Sequence, residues 1–297
     1  MTYDAIVVGA SFAGLSAAMQ LARARKQILV VDAGQPRNRF AAAAHGFLGQ
    51  DGVKPAAIMR EGLRQLSAYP TVDFVQGLAI SARGELDAFD IELEDGFSAV
   101  SRRLVLATGV RDELPETPGL AERWGASVLH CPYCHGYEIA GGPLGVIANG
   151  SHAALKALLI SDWGPVTLFT QGEPDLDPKM ALRLQARGVT IEPVPIAELI
   201  GEAPTLSAAR LVDGRIAQLS AVFVAPRTHM ASPLAAQLGC EFEDGPSGPY
   251  LKLDQWKQTT VPGVYAGGDA AAAMHNATLA SASGVLAGVG AHQSLLP

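Results

Sequence analysis

The sequence predicts an α/β fold built on buried parallel strands, and three observations carry that prediction. Residues 4–9 form an apolar run that passes straight into Gly9-Ala10-Ser11-Phe12-Ala13-Gly14 and then into a helical pattern to about Arg25. A second apolar run, Gln27-Ile28-Leu29-Val30-Val31, ends in Asp32, eighteen positions past Gly14. The alternation returns at Leu144-Gly145-Val146-Ile147-Ala148, followed by a helix expected from Ser151 to about Asp162. With 297 residues, 48% of them hydrophobic and 17% charged, the chain can bury one large core or two moderate ones.

Taken in order, the first strand, glycine turn, helix and distal acid make a dinucleotide fingerprint. Gly9 and Gly14 let the backbone approach a pyrophosphate at a helix N-terminus, and Asp32 is spaced to accept ribose hydroxyls. Ser11 stands where a second glycine is usual; it is small, and its hydroxyl can bond phosphate. Ordinary close packing is the competing reading of the glycines, and the spacing of Asp32 favours the nucleotide. The Gly34–Arg39 and His45–Gly52 stretches read as loop. There Arg37 and Arg39 either clamp a phosphate or carboxylate or are simply solvated, and His45 either approaches a ring system or lies on the surface. A helix over Lys54–Leu66 and strands at Val72–Gln76 and Phe89–Glu94 follow, with a turn at Asp95-Gly96. A strand over Arg103–Ala107 then runs into Thr108-Gly109.

Cys131-Pro132-Tyr133-Cys134 places two sulfurs on one face of a helical turn, within reach of a disulfide. Redox chemistry, metal binding and coincidence are all open for such a pair. With Cys131 as N-cap, Pro132 sits at N1, where its missing N–H costs nothing and the positive helix end faces the sulfurs. A zinc site would require a second Cys or His pair, which neither Cys240 nor the seven histidines supply, so no metal is expected. Cys240 reads as a small buried side chain.

Downstream, strands are expected at Val166–Phe169, Val189–Pro193, Ser207–Val212 and Ala221–Val224. Tyr250–Leu253 and Val264–Ala266 follow, and a helix over about Ala277–Leu295 closes the chain. That helix is rich in small residues and could pack under a cofactor or across a dimer interface. Asp269 is either a helix N-cap or a cofactor ligand.

Gly9…Gly14 with Asp32, Ala107-Thr108-Gly109, Cys131…Cys134 and Gly263-Val264-Tyr265-Ala266-Gly267-Gly268-Asp269 stand in order and spacing over nearly the whole chain. In this the sequence resembles the low-molecular-weight thioredoxin reductases. The resemblance implies two Rossmann-like nucleotide-binding domains, the second inserted into the FAD domain: residues 1–112 and 229–297 for FAD, and 113–228 for an NAD(P)-binding-like domain carrying the cysteines. It implies that Gly9, Ser11, Gly14, Asp32, Arg39, His45, Thr108, Gly109, Gly268, Asp269, Asn276 and Ala277 line the FAD site. Within that set Asp269 would hold the ribitol and the backbone at Asn276 and Ala277 would meet the ring. It further implies a homodimer, Cys134 as the flavin-proximal sulfur and Cys131 as the interchange nucleophile.

The chain departs from the family at three places. Ala148 replaces a glycine of the second nucleotide turn, and Thr170-Gln171-Gly172-Glu173 replaces the basic residues that hold a 2′-phosphate. Conventional NADPH use is therefore not expected, and Glu173 leaves NADH as an option. His135 follows Cys134 where an acid is usual, and imidazole can take and return a thiol proton near neutral pH; capping the helix is the alternative. Cys-x-x-Cys-His-Gly also resembles flavin-dependent dithiol oxidases, which pass electrons from a small dithiol to oxygen.

The expectation is thus an FAD-dependent disulfide or dithiol oxidoreductase cycling Cys131 and Cys134, with His135 as proton carrier. Its partner would be a thioredoxin-like protein or a small dithiol or disulfide, and ferredoxin, another flavin or oxygen its remaining electron partner. A non-enzymatic flavin-binding redox switch is the contrasting class. The formal net charge of −7 with scattered Lys and Arg speaks against nucleic acid. No apolar run reaches the ~20 residues of a membrane span. No leader is read at the start, and three cysteines fit a reducing cytoplasm.

Overall fold

The computed structural model describes residues 2–148, 152–172 and 176–297. The chain forms two compact units: Met1–Arg39, Pro55–Asp112 and Thr228–Pro297 in the first, and Phe40–Lys54 with Glu113–Arg227 in the second. The loop Phe40–Lys54, which the sequence reading kept with its flanking strands, therefore makes its contacts in the second unit.

The first unit opens with β1 (Thr2–Val8), α1 (Phe12–Arg23), β2 (Ile28–Asp32), α2 (Pro55–Leu66), β3 (Val72–Gln76), β4 (Ala79–Glu85), β5 (Ala88–Leu93), β6 (Ser98–Leu106) and β7 (Val110–Glu113). The second contains β8 (Val128–Leu129), α3 (Pro132–His135), β9 (Leu144–Ile147), α4 (Ala153–Ile160), β10 (Val166–Phe169) and α5 (Pro178–Ala186), then β11 (Thr190–Glu192), β12 (Ile196–Ile200), β13 (Ala208–Leu211), β14 (Ile216–Gln218) and β15 (Ala221–Phe223). The chain closes with β16 (Arg227–Met230), α6 (Leu234–Gln237), β17 (Phe242–Asp244), β18 (Pro249–Leu251), β19 (Val264–Ala266) and α7 (Ala277–Gln293).

In the first unit the sheet order is β3-β2-β1-β6-β5-β4, and β19 pairs with β6. β6 is long enough to serve two neighbours: Ser98–Ser101 pair antiparallel with β5, and Leu104–Leu106 pair parallel with β19. The apolar runs are continuous because the parallel strands are covered on both faces. Ile6 and Val8 join one core with Phe89 and Ile91, whereas Ala5 and Val7 join the other with α1 and α7. The final helix packs on α1 at backbone distance, since a Cβ at Gly284 would stand 2.0 Å from the Ala13 carbonyl oxygen, and one at Gly288 2.5 Å from that of Ala17.

The second unit holds a five-stranded sheet in the order β11-β10-β9-β15-β8, its strands paired in parallel among the described residues, and a separate antiparallel sheet β12-β13-β14. Leu144, Val146 and Leu168 pack on α4, and Ile147, Phe169 and Val222 pack toward Leu199 and Ala209 of the antiparallel sheet.

Two differences from the sequence reading have physical reasons. β4 was not anticipated because Arg83, Gly84 and Glu85 break its apolar alternation, and as the sheet's edge strand it leaves those residues in solvent. α4 starts at Ala153, not Ser151, and residue 151 lies outside the described residues, as do Asn149, Gly150 and Glu173. Among the described residues no helix is long and apolar enough to cross a membrane.

Candidate active site

Four strand ends of the first unit converge at one edge of its sheet. Gly9 donates to the Val31 carbonyl (2.7 Å), Ala107 to that of Val8 (2.8 Å) and Gly267 to that of Leu106 (3.1 Å), so the turns after β1, β2, β6 and β19 are tied side by side. This carboxyl edge is where parallel sheets bind ligands. Gly9 has a φ of +101°, and a Cβ on it would lie 2.3 Å from the Ala107 oxygen. A Cβ on Gly14 would lie 1.7 Å from the Gly9 oxygen. The turn therefore keeps its shape only with glycine at both positions.

Asp32 is drawn onto this turn, its carboxylate accepting from the N–H groups of Ala10 (2.8 Å) and Gly34 (3.0 Å). Ser11 is the N-cap of α1 but makes no side-chain cap; its hydroxyl points to the Met59 sulfur at 3.4 Å. The N-terminus of a twelve-residue helix thus stands beside a glycine turn and a carboxylate, an arrangement that fits a dinucleotide pyrophosphate and ribose. Asn38 Oδ1 is buried without a hydrogen-bond partner, as expected of an acceptor that meets a ligand. Thr108 and Gly109 follow β6, and the Gly109 carbonyl accepts from Ala231 (3.2 Å). Arg39 is exposed and donates to the Pro36 carbonyl at 3.0 Å.

Arg37, read as a clamp for phosphate or carboxylate, clamps two carboxylates. It meets Asp112 through two N–H groups (2.9 and 2.6 Å) and Asp269 through a third contact (2.8 Å). Burial alone would disfavour its charge, but the Asp112 and Asp269 partners outweigh it and hold the guanidinium firmly protonated. The same Nη1 lies 2.8 Å from Nδ1 of His275. Because a guanidinium only donates, Nδ1 must accept, which puts the His275 proton on Nε2. Asp269 is therefore not a free acid at a helix start. Gly268, φ +78°, precedes it and donates to the Ser283 hydroxyl (2.8 Å). Asn276 caps α7, accepting from Thr278 (2.8 Å) and Leu279 (3.3 Å), with Ala277 as the first helical residue.

The cysteines lie in the second unit. Parallel pairing of β8 with β15 delivers the chain to Cys131, which is the N-cap of the one-turn helix α3, with Pro132 at N1. Both sulfurs are half-buried thiols, and the Cys134 thiol donates to Cys131 Sγ at 2.8 Å. That hydrogen bond is the largest cause that lowers Cys131 to about 7; the N–H groups of Cys134 and Tyr133 and the ammonium of Lys156 add to it. The same bond, with burial, pushes Cys134 far up. The pair is polarised: Cys131 ionises first and Cys134 keeps the proton.

His135 follows directly, and burial lowers its pKa, opposed by Glu138. His45 stands between two carboxylates, Nε2 3.4 Å from Glu138 and Nδ1 3.6 Å from Asp51. In this unit His45 thus belongs with the residues after the cysteine pair. Trp163 meets Tyr133 edge-on at 5.7 Å and covers Gly136, where a Cβ would lie 2.7 Å from the indole nitrogen.

Lys156 is the member that sequence reading missed. It is the one charged residue of α4, half-buried, and its amine donates to the backbone carbonyl of Val224. Nothing local to Ala153–Ile160 signals this, because the partner lies 68 residues away.

At the other strand ends of this sheet Ala148 is buried and donates to Phe169 (2.9 Å). Thr170 is buried, and Gln171 adopts φ +58° with its side-chain oxygen accepting from Ile196 (3.2 Å). Gln171 turns into its own unit, and no cation occupies positions 170–172. Cys240, buried in the first unit, packs as a small core side chain.

Comparison with known proteins places this arrangement. The family model described as pyridine nucleotide-disulphide oxidoreductase matches residues 3–284. The chain is similar to thioredoxin reductase tcpT of Claviceps purpurea, 34% identical over 310 residues that span 99% of this chain and 94% of the other. It is 30% identical over 311 residues to thioredoxin reductase sirT of Leptosphaeria maculans, spanning 97% and 93%. Among solved structures, an oxidoreductase from Agrobacterium tumefaciens aligns with a TM-score of 0.95 at 46% identity, covering 99% of this chain and 98% of that one.

Proposed function

Because the chain belongs to the pyridine nucleotide-disulphide oxidoreductase family, as a thioredoxin reductase-like flavin-dependent enzyme of two Rossmann-type units, we propose that it is an FAD-dependent dithiol/disulfide oxidoreductase working through Cys131 and Cys134 without conventional use of NADPH. The observation that carries this reading is the thiol hydrogen bond of 2.8 Å between Cys134 and Cys131 at a helix N-cap. Gly9, Ser11, Gly14 and Asp32 would hold the ADP half of FAD, Asp269 its ribitol, and the turn at Asn276 and Ala277 its ring. FAD, when bound, supplies an acceptor or donor for the two electrons exchanged by the cysteine pair.

The protein residues do the rest. Cys131, as thiolate, attacks one sulfur of a substrate disulfide and releases the other as a thiol. Cys134 then loses its proton and displaces the substrate sulfur, closing Cys131–Cys134. In the opposite direction a substrate dithiol opens that bond by the same two exchanges and leaves as a disulfide. His135 is neutral near pH 7, since burial lowers its pKa, so it can accept the Cys134 proton and return it. The partner on this reading is a thioredoxin-like protein or a small dithiol or disulfide, and the working form is a homodimer.

A second reading, a dithiol oxidase, is favoured by one observation: positions 170–172 carry no cation. Then two electrons and two protons pass from a small dithiol to oxygen, giving a disulfide and hydrogen peroxide. In the reductase direction ferredoxin or another flavin would take the place of NADPH. Anaerobic titration of the flavin-loaded protein decides the matter. Bleaching is expected with dithiothreitol and not with stoichiometric NADPH; rapid bleaching by NADPH would overturn the reading of the second nucleotide turn. A protein that binds flavin yet completes no turnover with any dithiol would instead be a redox switch.

A further inference from the structure

Lys156 has a place that neither its helix nor the nucleotide reading explains. Its helix is otherwise apolar, Ala-Ala-Leu-Lys-Ala-Leu-Leu-Ile, and packs Ala153, Ala154, Ala157 and Ile160 into the core. A lysine on such a helix ordinarily carries its amine out to water along its apolar stem. Here the amine turns inward and donates to the carbonyl of Val224, a residue with no exposed surface. The Val224 N–H in turn donates to the Leu129 carbonyl at 2.8 Å, and Leu129 ends the strand that delivers Cys131 two residues later. The ammonium is thus fixed at the end of β15, beside the end of β8, on the cysteine side of the sheet. Among the described residues no carboxylate pairs with it, and the Val224 carbonyl is its hydrogen-bond partner.

We propose that Lys156 is a positioning residue of the dithiol: held by the Val224 carbonyl next to the strand that presents Cys131, its ammonium is the counter-charge that keeps the Cys131 sulfur a thiolate. The assignment rests on the reading of Cys131 as the interchange nucleophile. It adds a second support from another element to the hydrogen bond that Cys134 gives within its own turn. The two charges act on each other, each favouring the ionised form of its partner: burial draws the lysine down, Cys131 opposes that, and the balance stands at about 8. The groups acting on Cys131 are Cys134 and the Tyr133 N–H from α3 and Lys156 from α4; the charge acting on Lys156 is Cys131.

The test follows alkylation of Cys131 by iodoacetamide in the reduced, flavin-loaded protein as a function of pH, with the labelled peptide read by mass spectrometry. In the unaltered chain the rate is expected to rise with a midpoint at about 7. Lys156→Gln keeps a donor for Val224 but no charge. It should move the midpoint upward and slow alkylation at pH 7 by about two- to fivefold, the consequence of a shift of roughly half to one unit from a midpoint at about 7. Lys156→Arg should return the profile toward the original. An unchanged profile in Lys156→Gln overturns the proposal, and so does an equal shift in Gln and Arg, which would mark a packing effect. If Lys156→Gln does not accumulate as folded protein, Lys156→Met provides the same comparison. Because alkylation needs no turnover, this result stands apart from whether NADPH, a dithiol or oxygen exchanges electrons with the enzyme.

Discussion

At the carboxyl edge of the first unit's sheet, Gly9, Asp32, Gly109, Gly268 and Asp269 stand at the ends of strands whose turns are tied together by backbone hydrogen bonds. At the corresponding edge of the second sheet stand Ala148, Thr170, Gln171 and, beyond β8, Cys131. The two sheets share a layered design, yet one edge is built around glycines with no room for a Cβ and the other carries the side chains of Ala148, Thr170, Gln171 and Cys131. A Cβ has no room at Gly9 or Gly14, whereas Ala148 carries one without strain in its strand-end position. On the proposed reading, cofactor binding rests on backbone shape, while the sulfur chemistry rests on groups brought together from α3 and α4.

The largest effect should come from breaking the backbone-shaped edge. Gly14→Val forces a Cβ against the Gly9 oxygen, 1.7 Å away even before its methyl groups are counted. The variant should lose its flavin altogether and about 3 kcal/mol or more of stability, the range of severe steric insertions. Absorbance of the purified protein and a thermal melt measure the two losses. Full flavin content would sink the assignment of this turn.

Next in size is Cys131→Ser. With the thiolate gone, turnover with dithiothreitol should fall at least ~1,000-fold, as when a nucleophile is removed from an active site that works as a unit. Flavin absorbance should be unchanged, because the residues of the first edge are untouched. Concurrent loss of flavin would mean that the two edges are not separable in the way proposed.

His135→Ala should reduce kcat/KM by about a hundredfold, the lower range for a positioned acid-base group. Burial lowers the pKa of His135, so the imidazole remains unprotonated, and able to accept a proton, to a lower pH than an exposed histidine at ~6.5. The acid side of kcat/KM is therefore expected to fall in two steps in the unaltered enzyme, one at about 7 as Cys131 is protonated and a second at lower pH as His135 is protonated. In His135→Ala the lower step should vanish while the Cys131 step stays. A lower step that persists unchanged would assign it to another group.

The first edge was largely legible in the sequence because its requirements are local. Continuous apolar runs at Ala5–Val8 and Ile28–Val31 reflect strands covered on both faces, and glycine at 9 and 14 reflects contacts within one turn. The placing of Pro132 at N1 behind Cys131 was legible for the same reason. What could not be read was tertiary. Arg37 grips Asp269 across 232 positions, Lys156 finds Val224 across 68, and His45 meets Glu138 from a distant loop. β4 escaped because its buried positions are only the small Ala79 and Ala82, while Arg83, Gly84 and Glu85 lie in solvent.

The smallest expected effect is also the sharpest on the second edge. Gln171 holds a left-handed φ of +58° and accepts from Ile196 at 3.2 Å. In Gln171→Gly the lost hydrogen bond costs about 1 kcal/mol. Glycine also relieves a conformation that costs a side chain about 1–2 kcal/mol. The two nearly cancel, so the melting temperature should move by no more than a few degrees. If Gln171 only braces its own unit, the slow anaerobic response of the flavin to NADPH is untouched by the change. If Gln171 contacts a nucleotide, the same substitution alters the NADPH concentration needed for bleaching while leaving the melt where it was. The nucleotide response therefore separates the two accounts, and the melt, expected to stay in place under both, shows that the variant is folded when the residue is assigned.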